Sequence, residues 1–402
     1  MRRFRLLYAA LLLSVGCMAQ PSSPNQHPQV SFSQLKVGAE VLLSKEYAFS
    51  FPVAVAVVAN QTSVVGNTHL VDTLLSKGVK VVRIFCPEHG FRGKADAGAK
   101  VGNSVDPNTG IPITSLYGSS KKPAKEQLLD VDAVIFDLQD VGCRFYTYLS
   151  TLHYVMEACA ENRKPLVVLD RPNPNGYYID GPVLDTAKYR SFVGMHPVPI
   201  VYGMTIGEYA RMINGEHWLA GGMECNLTVV PMQYYLRDSA YVLPVPPSPN
   251  LQNAHAIALY PSLCLFEGTH VSVGRGTEWP FEVIGTPYSI GWNCDSLFGE
   301  QLAPAVSFTP KGGKRCFGIS LRKVQAPACV DLGWLECMYS LSRKGMFFLK
   351  NNFFEKLAGT ATLRQQLEQQ MPLDQIRDSW QPQLEHFKTI RSRYLLYPDA
   401  EN

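Results

Sequence analysis

The segment AVIFDLQDVGCRFYTY at 133–148 decides the fold class of this 402-residue chain. It begins as a short apolar run of the kind that forms a buried strand, and it continues with polar and aromatic residues. Three other apolar runs share this arrangement, at 53–58, 79–85 and 166–169. Amphipathic stretches alternate with the runs, at 69–76, 147–161 and 205–219. The alternation predicts βα units and an open, mostly parallel α/β sheet of Rossmann-like type.

The organisation changes past residue 240, where Gly- and Pro-rich loops replace the regular alternation. We expect irregular strand and Gly-rich turns over 263–278, followed by helices and loops. The sequence therefore predicts a Rossmann-like domain at 31–240 and a smaller α+β domain at 241–402.

The first 30 residues have the composition of an export signal and a tether. Three arginines precede an apolar run shorter than the roughly 20 residues that a spanning helix needs, which predicts a secretory signal peptide at 1–19. Residues 20–30 are rich in Pro, Ser, Asn and Gln and are expected to form a solvated tether. Two processing routes stay open, lipidation of Cys17 within SVGC or cleavage before Gln20. We expect an exported protein, periplasmic or associated with the envelope, with membrane attachment through a lipidated Cys17 as one alternative.

Composition and absent motifs exclude several classes of protein. With 37 basic and 34 acidic residues, a net charge of +3 is too small for a dedicated nucleic-acid binder. The sequence contains no G-x-G-x-x-G, no G-x-x-x-x-G-K-[ST] and no G-x-S-x-G. Nine cysteines follow Cys17 without a C-x-x-C pair, which predicts buried thiols, with one or two bridges in the C-terminal part as an alternative. We expect neither a metal nor another cofactor.

The ends of the predicted strands carry carboxylates, amides and guanidinium groups. Since ligands bind beyond the carboxyl ends of strands in open α/β sheets, these residues are candidates for a site. They are Asn60 after the first run, Glu88, His89 and Arg92 after the second, Asp137, Asp140 and Arg144 after the third, and Asp170, Arg171 and Asn173 after the fourth. The candidate chemistry is that of carboxylates.

Six motifs in order resemble the exo-β-N-acetylmuramidase family, glycoside hydrolases of peptidoglycan recycling. They are PEHGFRG at 87–93, SLYG at 115–118, FDLQDVGCRFYTY at 136–148, LDRPNPNG at 169–176, PPSPN at 246–250 and FEGTHVSVGRGTEWPFE at 266–282. The resemblance continues in WQPQLEHFKTIRSRYLLYP at 380–398. It implies an enzyme that removes terminal β-1,4-linked N-acetylmuramic acid from the non-reducing end of peptidoglycan fragments, such as disaccharides and muropeptides. It also implies that the domain at 31–240 is catalytic and that the domain at 241–402 completes the active-site cleft. The glutamate of the PEHG motif, Glu88, is the catalytic residue that the resemblance implies.

Glycoside hydrolysis needs a proton donor for the leaving oxygen and a second group that meets positive charge or activates water. We predict Glu88 as the acid, with Glu267 and Glu278 as candidates for the second role. For Asp137 and Asp140 two roles stay open, since they could orient Arg144 and Asn60 or contact the substrate directly. The sugar's own 2-acetamido group is an alternative nucleophile.

N-acetylmuramic acid carries a 3-O-lactyl carboxylate, which a guanidinium can bind with two parallel donors. Arg144 and Arg275 are the favoured residues for this role among the motif arginines, which also include Arg92 and Arg171. The predicted contacts with the sugar are completed by one set of polar and aromatic residues, Asn60, His89, Tyr117, Tyr146, Asp170, Asn173 and Asn250.

Two other classes of function compete with glycoside hydrolysis. A non-catalytic envelope lipoprotein that binds muropeptides would show saturable binding without turnover. A metal-dependent hydrolase would use Asp137, Asp140, Asp170 and His89, because carboxylates at neighbouring strand ends suit a divalent ion.

Overall fold

The computed structural model describes residues 35–44, 54–91, 102–239, 241–288, 304–343 and 345–399. Twelve strands lie in these ranges: β1 Val55–Ala59, β2 Val64–Val65, β3 Thr68–His69, β4 Val81–Cys86, β5 Ser104–Val105, β6 Pro112–Ser115, β7 Ala133–Asp137, β8 Leu166–Leu169, β9 Leu227–Val230, β10 Val283–Thr286, β11 Ala305–Phe308 and β12 Cys316–Ser320.

The same ranges contain eleven α-helices and four short 3₁₀ helices. The α-helices are α1 Gly38–Leu42, α2 Leu70–Ser76, α3 Tyr148–Glu161, α4 Thr186–Tyr189, α5 Ile206–Gly215, α6 Ala254–Leu263, α7 Gly333–Ser340, α8 Phe353–Ala358, α9 Thr362–Glu368, α10 Leu373–Asp378 and α11 Gln381–Arg391. The 3₁₀ helices are Lys125–Leu128, Ala220–Gly222, Cys264–Gly268 and Ser392–Tyr394. None of the helices in the described ranges is long and apolar enough to cross a membrane.

Seven strands form the main sheet, in the order β5-β6-β4-β1-β7-β8-β9. All neighbours are parallel except β5, which pairs antiparallel with β6. The predicted mostly parallel α/β sheet is confirmed. Because β1, β4, β7 and β8 run in one direction, their polar carboxyl ends meet at one edge of the sheet.

The two faces of the sheet are buried in different cores. In β1, Ala56 and Val58 face a core that also contains α3 and α5, while Val55, Val57 and Ala59 face a second core with α1 and α2. Successive side chains of a strand point to opposite faces, so a strand buried on both sides needs an unbroken apolar run. This requirement explains why the four predicted strands lack the usual alternation of polar and apolar residues.

The C-terminal part is smaller and contains a three-stranded antiparallel sheet, β10-β12-β11, with helices α7 to α11 after it. Most of its buried apolar residues join the larger of the two sheet cores, which includes Ala56 and Phe387, while Val283, Phe308 and Cys316 form a small cluster of their own. The border at residue 240 stays a prediction.

The expectation of irregular strand from residue 263 was wrong at its start. Helix α6, capped by the Asn253 side chain, continues directly into the 3₁₀ helix Cys264–Gly268. Most residues of this segment are buried, and an apolar run buried on all sides has no periodicity that separates helix from strand. The eight cysteines in the described ranges are free thiols. Cys17, Cys294 and the predicted signal peptide and tether lie outside those ranges.

Candidate active site

Glu88 lies in a tight turn directly after β4. The Gly90 N–H donates to the Pro87 carbonyl oxygen across 3.1 Å, and His89 (φ 72°) and Gly90 (φ 76°) both adopt the left-handed conformation. This conformation costs a histidine about 1–3 kcal/mol, so the surrounding structure must hold the turn. The consequence is a fixed position for Glu88 at the edge where the strands end.

Two hydroxyl groups hydrogen-bond Glu88. Thr147, the residue before α3, donates its hydroxyl to Glu88 Oε2 across 2.9 Å instead of capping the helix. Tyr117 forms a side-chain hydrogen bond with Glu88 from the SLYG motif. Burial and the negative charge of Glu88 raise the pKa of Tyr117 to about 12, with Arg275 acting in the opposite direction. Tyr117 is therefore a neutral phenol at neutral pH.

A second carboxyl group, that of Glu267, lies on the 3₁₀ helix Cys264–Gly268. Arg275 binds it through both Nε and Nη2. Burial raises the pKa of Glu267, Arg275 counteracts this effect, and the nearby Glu88 raises the pKa further. The carboxyl groups of Glu88 and Glu267 are therefore close enough to interact, although they come from different parts of the chain.

A cavity of about 840 Å³ contains both carboxyl groups. Seven of the predicted site residues line it: Glu88, His89, Tyr117, Tyr146, Asn250, Glu267 and Arg275. Nine aromatic side chains form much of its wall: Tyr117, Phe145, Tyr146, Tyr148, Phe192, Tyr260, Phe266, Phe281 and Phe353. A concave, mostly apolar wall with a few convergent polar groups is typical of small-molecule sites.

The PPSPN loop at 246–250 forms one side of the cavity and is fixed to the strand ends by hydrogen bonds. The Tyr146 and Tyr148 hydroxyls donate to the Pro247 carbonyl oxygen across 2.8 and 3.3 Å, and Gln61 Nε2 donates to it across 3.2 Å. Proline-rich backbone keeps its carbonyl acceptors but has few N–H donors. The YTY sequence at 146–148 therefore holds this loop and orients Glu88 at the same time.

Asp137, Arg171 and Asn60 lie beneath the cavity and do not line it. Arg171 binds Asp137 through Nε and Nη2, and the pair is almost completely buried. Burial acts to lower the pKa of Arg171, but the Asp137 carboxylate outweighs it and the net shift is upward. Asn60 donates to the Tyr148 hydroxyl across 2.7 Å. These residues support the YTY segment and the strand ends.

Asp140 and Asp170 are buried carboxyl groups that also lie outside the cavity wall. Asp140 accepts hydrogen bonds from the Gly142 N–H and the Tyr202 hydroxyl, and burial raises its pKa to about 6. Asp170 accepts from Thr205, Gly207 and Tyr397, and burial likewise raises its pKa to about 6.

Arg144 and Asn173 are bound to backbone groups. Arg144, 2% exposed, donates to the carbonyl oxygens of Pro182, Val198 and Leu357, and burial lowers its pKa to about 9. Asn173 donates to the Met204 carbonyl oxygen across 2.8 Å. The structure thus uses the predicted lactyl ligand Arg144 to join three segments of backbone.

Two predicted residues remain. Glu278 is exposed and does not line the cavity. Arg92 lies outside the described residues.

Thr147, Tyr148 and Lys121 line the cavity and were not predicted. Thr147 and Tyr148 stand inside the quoted FDLQDVGCRFYTY motif, at a helix start beside the strand ends, which was a usable signal. Lys121 follows SLYG as half of a Lys-Lys pair, a pattern typical of solvated surface.

Metal ligation has no support in the described ranges, which contain no group of three or more His, Cys, Asp or Glu side chains suited to hold an ion. Of the four ligands in the metal-dependent alternative, only His89 lines the cavity.

Two interacting carboxyl groups in an aromatic cavity, beside a Rossmann-like α/β sheet, suit an enzyme of the glycoside hydrolase class. The family model described as exo-beta-N-acetylmuramidase NamZ, N-terminal, matches residues 55–255, and the corresponding C-terminal model matches residues 258–397. The chain belongs to this family.

Relatives over the full length agree with this assignment. The chain is 37% identical to the peptidoglycan beta-N-acetylmuramidase NamZ of Bacillus subtilis (strain 168), over 94% of this chain and 95% of that protein. Two crystal structures of DUF1343 family proteins from Bacteroides fragilis are also similar. One has a TM-score of 0.79 at 42% identity, over 91% of this chain and 99% of that chain. The other has a TM-score of 0.78 at 28% identity, over 90% and 99%.

Proposed function

We propose that this chain is an exo-acting glycoside hydrolase that removes terminal β-1,4-linked N-acetylmuramic acid from the non-reducing end of peptidoglycan fragments. The observation that carries the proposal is the pair of interacting carboxyl groups, Glu88 and Glu267, in one aromatic cavity. Membership of the exo-β-N-acetylmuramidase family supports the substrate.

The contacts of Glu88 suit a group that gains and loses a proton. Hydroxyl groups can donate or accept hydrogen bonds, so Thr147 and Tyr117 can remain bonded to Glu88 in either protonation state. Arg275 directs two nitrogen atoms to Oε1 of Glu267, and its positive charge favours the ionised form of that carboxyl group. We assign Glu88 as the acid that protonates the leaving oxygen, and Glu267 as the carboxylate that faces the positive charge of the oxocarbenium-like transition state.

The test is hydrolysis of a chromogenic β-N-acetylmuramide by the purified protein. Glu88→Gln removes the acidic proton while retaining size, and general acid catalysis typically contributes 10²–10⁴-fold, so we expect kcat to fall by roughly that factor. Glu278→Gln is the matched control, because Glu278 is an exposed glutamate outside the cavity wall. Its rate should equal that of the wild type.

Two results would overturn the proposal in different ways. Full activity in Glu88→Gln would remove Glu88 from the acid role. Saturable binding of muropeptides by wild-type protein that releases no aglycone would instead favour the non-catalytic alternative.

We also propose that the protein acts in the cell envelope after export. The arginines and apolar run of residues 1–19 support export, and the SVGC sequence at 14–17 supports attachment through Cys17. The mass of the mature protein distinguishes a lipidated N-terminal Cys17 from a free N-terminal Gln20. Retention of residues 1–19 in cells would refute export.

A further inference from the structure

Lys121 has a distinctive electrostatic position in the cavity. The described residues that line the cavity include one lysine, Lys121, and one arginine, Arg275. Arg275 is bound to Glu267 through two nitrogen atoms, and its guanidinium lies 5.3 Å from the centre of the Phe281 ring. No described carboxylate binds Lys121, so its charge is available to a ligand.

The local structure holds Lys121 at the cavity and its neighbour Lys122 away from it. Lys122 Nζ binds the carboxylates of Glu157 and Glu161 on α3 at 3.0 and 2.8 Å, which fixes this stretch of backbone. Lys121 Nζ lies over the Phe192 ring, 4.6 Å from its centre. A cation over an aromatic face keeps its N–H donors free on the side that faces away from the ring.

Two aromatic side chains connect Lys121 to the acid Glu88. The Phe192 ring lies 6.0 Å from that of Tyr117, and Tyr117 in turn hydrogen-bonds Glu88. In this series of contacts the side chains of Phe192 and Tyr117 stand between the ammonium group and the acid. In N-acetylmuramic acid the lactyl carboxylate is likewise separated from the glycosidic oxygen by the sugar ring.

We propose that Lys121 binds the 3-O-lactyl carboxylate of the terminal sugar and thereby selects N-acetylmuramic acid over N-acetylglucosamine. This inference rests on the proposed function. It replaces Arg144 and Arg275 in that role, since Arg144 is bound to carbonyl groups and Arg275 to Glu267. An ammonium group suits the task as a compact point charge on a flexible stem.

The test compares Lys121→Met with wild-type protein on chromogenic β-N-acetylmuramide and β-N-acetylglucosaminide. A hydrogen bond to a charged group contributes enough that we expect kcat/KM for the muramide to fall roughly 10- to 100-fold, mainly through KM. The rate for the glucosaminide, which has no lactyl group, should change less than about 3-fold by the same argument. Lys121→Arg keeps the charge and should retain most of the selectivity.

Inhibition measurements give a second readout that does not depend on turnover of the glucosaminide. Free N-acetylmuramic acid should inhibit the wild type more strongly than its methyl ester, and Lys121→Met should abolish the difference. Salt should weaken inhibition by the free acid in the wild type more than in the variant, because it screens the charge interaction. Lys122→Gln is the matched control, with lower stability and unchanged selectivity expected.

The outcomes separate this inference from the proposed function. If the wild type hydrolyses neither glycoside, the proposed function fails. If the wild type hydrolyses the muramide and Lys121→Met keeps both its KM and its preference for the free acid, the role of Lys121 is refuted while the enzymatic function stands.

Discussion

Asp140 is enclosed beside the loop that follows β7, with 4% of its surface exposed. The Tyr202 hydroxyl and the Gly142 N–H bind one of its oxygen atoms, and the other, Oδ1, has no hydrogen-bond partner among the described residues. Burial raises its pKa from 3.8 to about 6. Between these two values the folded protein holds a proton that the unfolded chain releases, so stability falls as pH rises through this window.

We predict that Asp140→Asn removes this pH dependence. Since one pKa unit corresponds to about 1.4 kcal/mol, the free energy of unfolding of the wild type should fall by about 2.4 kcal/mol relative to the variant between pH 4 and pH 7. Urea denaturation at several pH values measures the difference. Asp378→Asn, at an exposed carboxyl group, is the control and should follow the wild type. A constant difference between wild type and Asp140→Asn would contradict the raised pKa.

The sequence located the edge of the sheet but could not separate lining residues from supporting ones. Glu88 and Asp137 both follow buried strands, yet Glu88 enters the cavity and Asp137 binds Arg171 below it. This choice depends on the direction of each side chain and on partners 34 residues away, as in the Asp137–Arg171 pair. Neither is encoded in the local pattern of apolar residues.

At the scale of elements, runs of apolar residues were predicted as strands and mixed runs were not. The predicted helix at 147–161 became α3 with nearly the same bounds. The four-residue strands β6 (PITS) and β9 (LTVV) were not predicted, because each mixes polar and apolar residues, whereas β8 (LVVL), equally short, is apolar throughout. The predicted helix at 205–219 ends at Gly215, where an added Cβ would lie 2.4 Å from the Tyr394 ring. Tyr394 lies far along the chain from Gly215, so the local sequence could not predict this contact.

The loop after β7 depends on a glycine in a left-handed conformation. Gly142 has φ 77°, and a Cβ there would lie 2.2 Å from Asn173 Oδ1. Asn173 cannot move easily, because it donates to the Met204 carbonyl oxygen and accepts from the Asn175 N–H. The loop and the following LDRPNPNG segment are therefore coupled.

We predict that Gly142→Ala destabilises the protein more than Gly78→Ala. Gly78 has φ 78° but nothing within 4 Å of an added Cβ, so it reports the cost of the backbone conformation alone, about 1–2 kcal/mol. Gly142→Ala should add roughly 1–3 kcal/mol for the disrupted hydrogen bonds of Asn173. Urea denaturation of the two variants measures the difference, and equal stabilities would show that Asn173 adapts without cost.

At the scale of the whole molecule, the two halves of the chain share one core. One cluster of buried apolar side chains contains residues of both halves, among them Ala56 in β1 and Phe387 in α11. The C-terminal segment also returns to the main sheet, where the Tyr397 hydroxyl donates to Asp170 Oδ2 across 2.6 Å and accepts from the Met232 N–H across 2.8 Å. The predicted domains are thus joined by apolar packing and by buried hydrogen bonds.

We therefore predict that Tyr397→Phe lowers the stability of the whole chain in one transition. The change leaves the buried Met232 N–H without its acceptor and Asp170 without one donor, which should cost about 1–3 kcal/mol. The cost should be greater at pH 8 than at pH 5, because burial raises the pKa of Asp170 to about 6 and the ionised carboxylate depends more on the Tyr397 hydrogen bond. Far-UV circular dichroism and tryptophan fluorescence should give coincident transitions, since the five tryptophans lie in both halves of the sequence, at Trp218 and at Trp279, Trp292, Trp334 and Trp380.

Tyr394→Phe, which removes a half-buried hydroxyl bound to Glu216, is the control and should cost less than about 1 kcal/mol. Two separate transitions, with Tyr397→Phe shifting one alone, would mean that the halves unfold independently despite their common core.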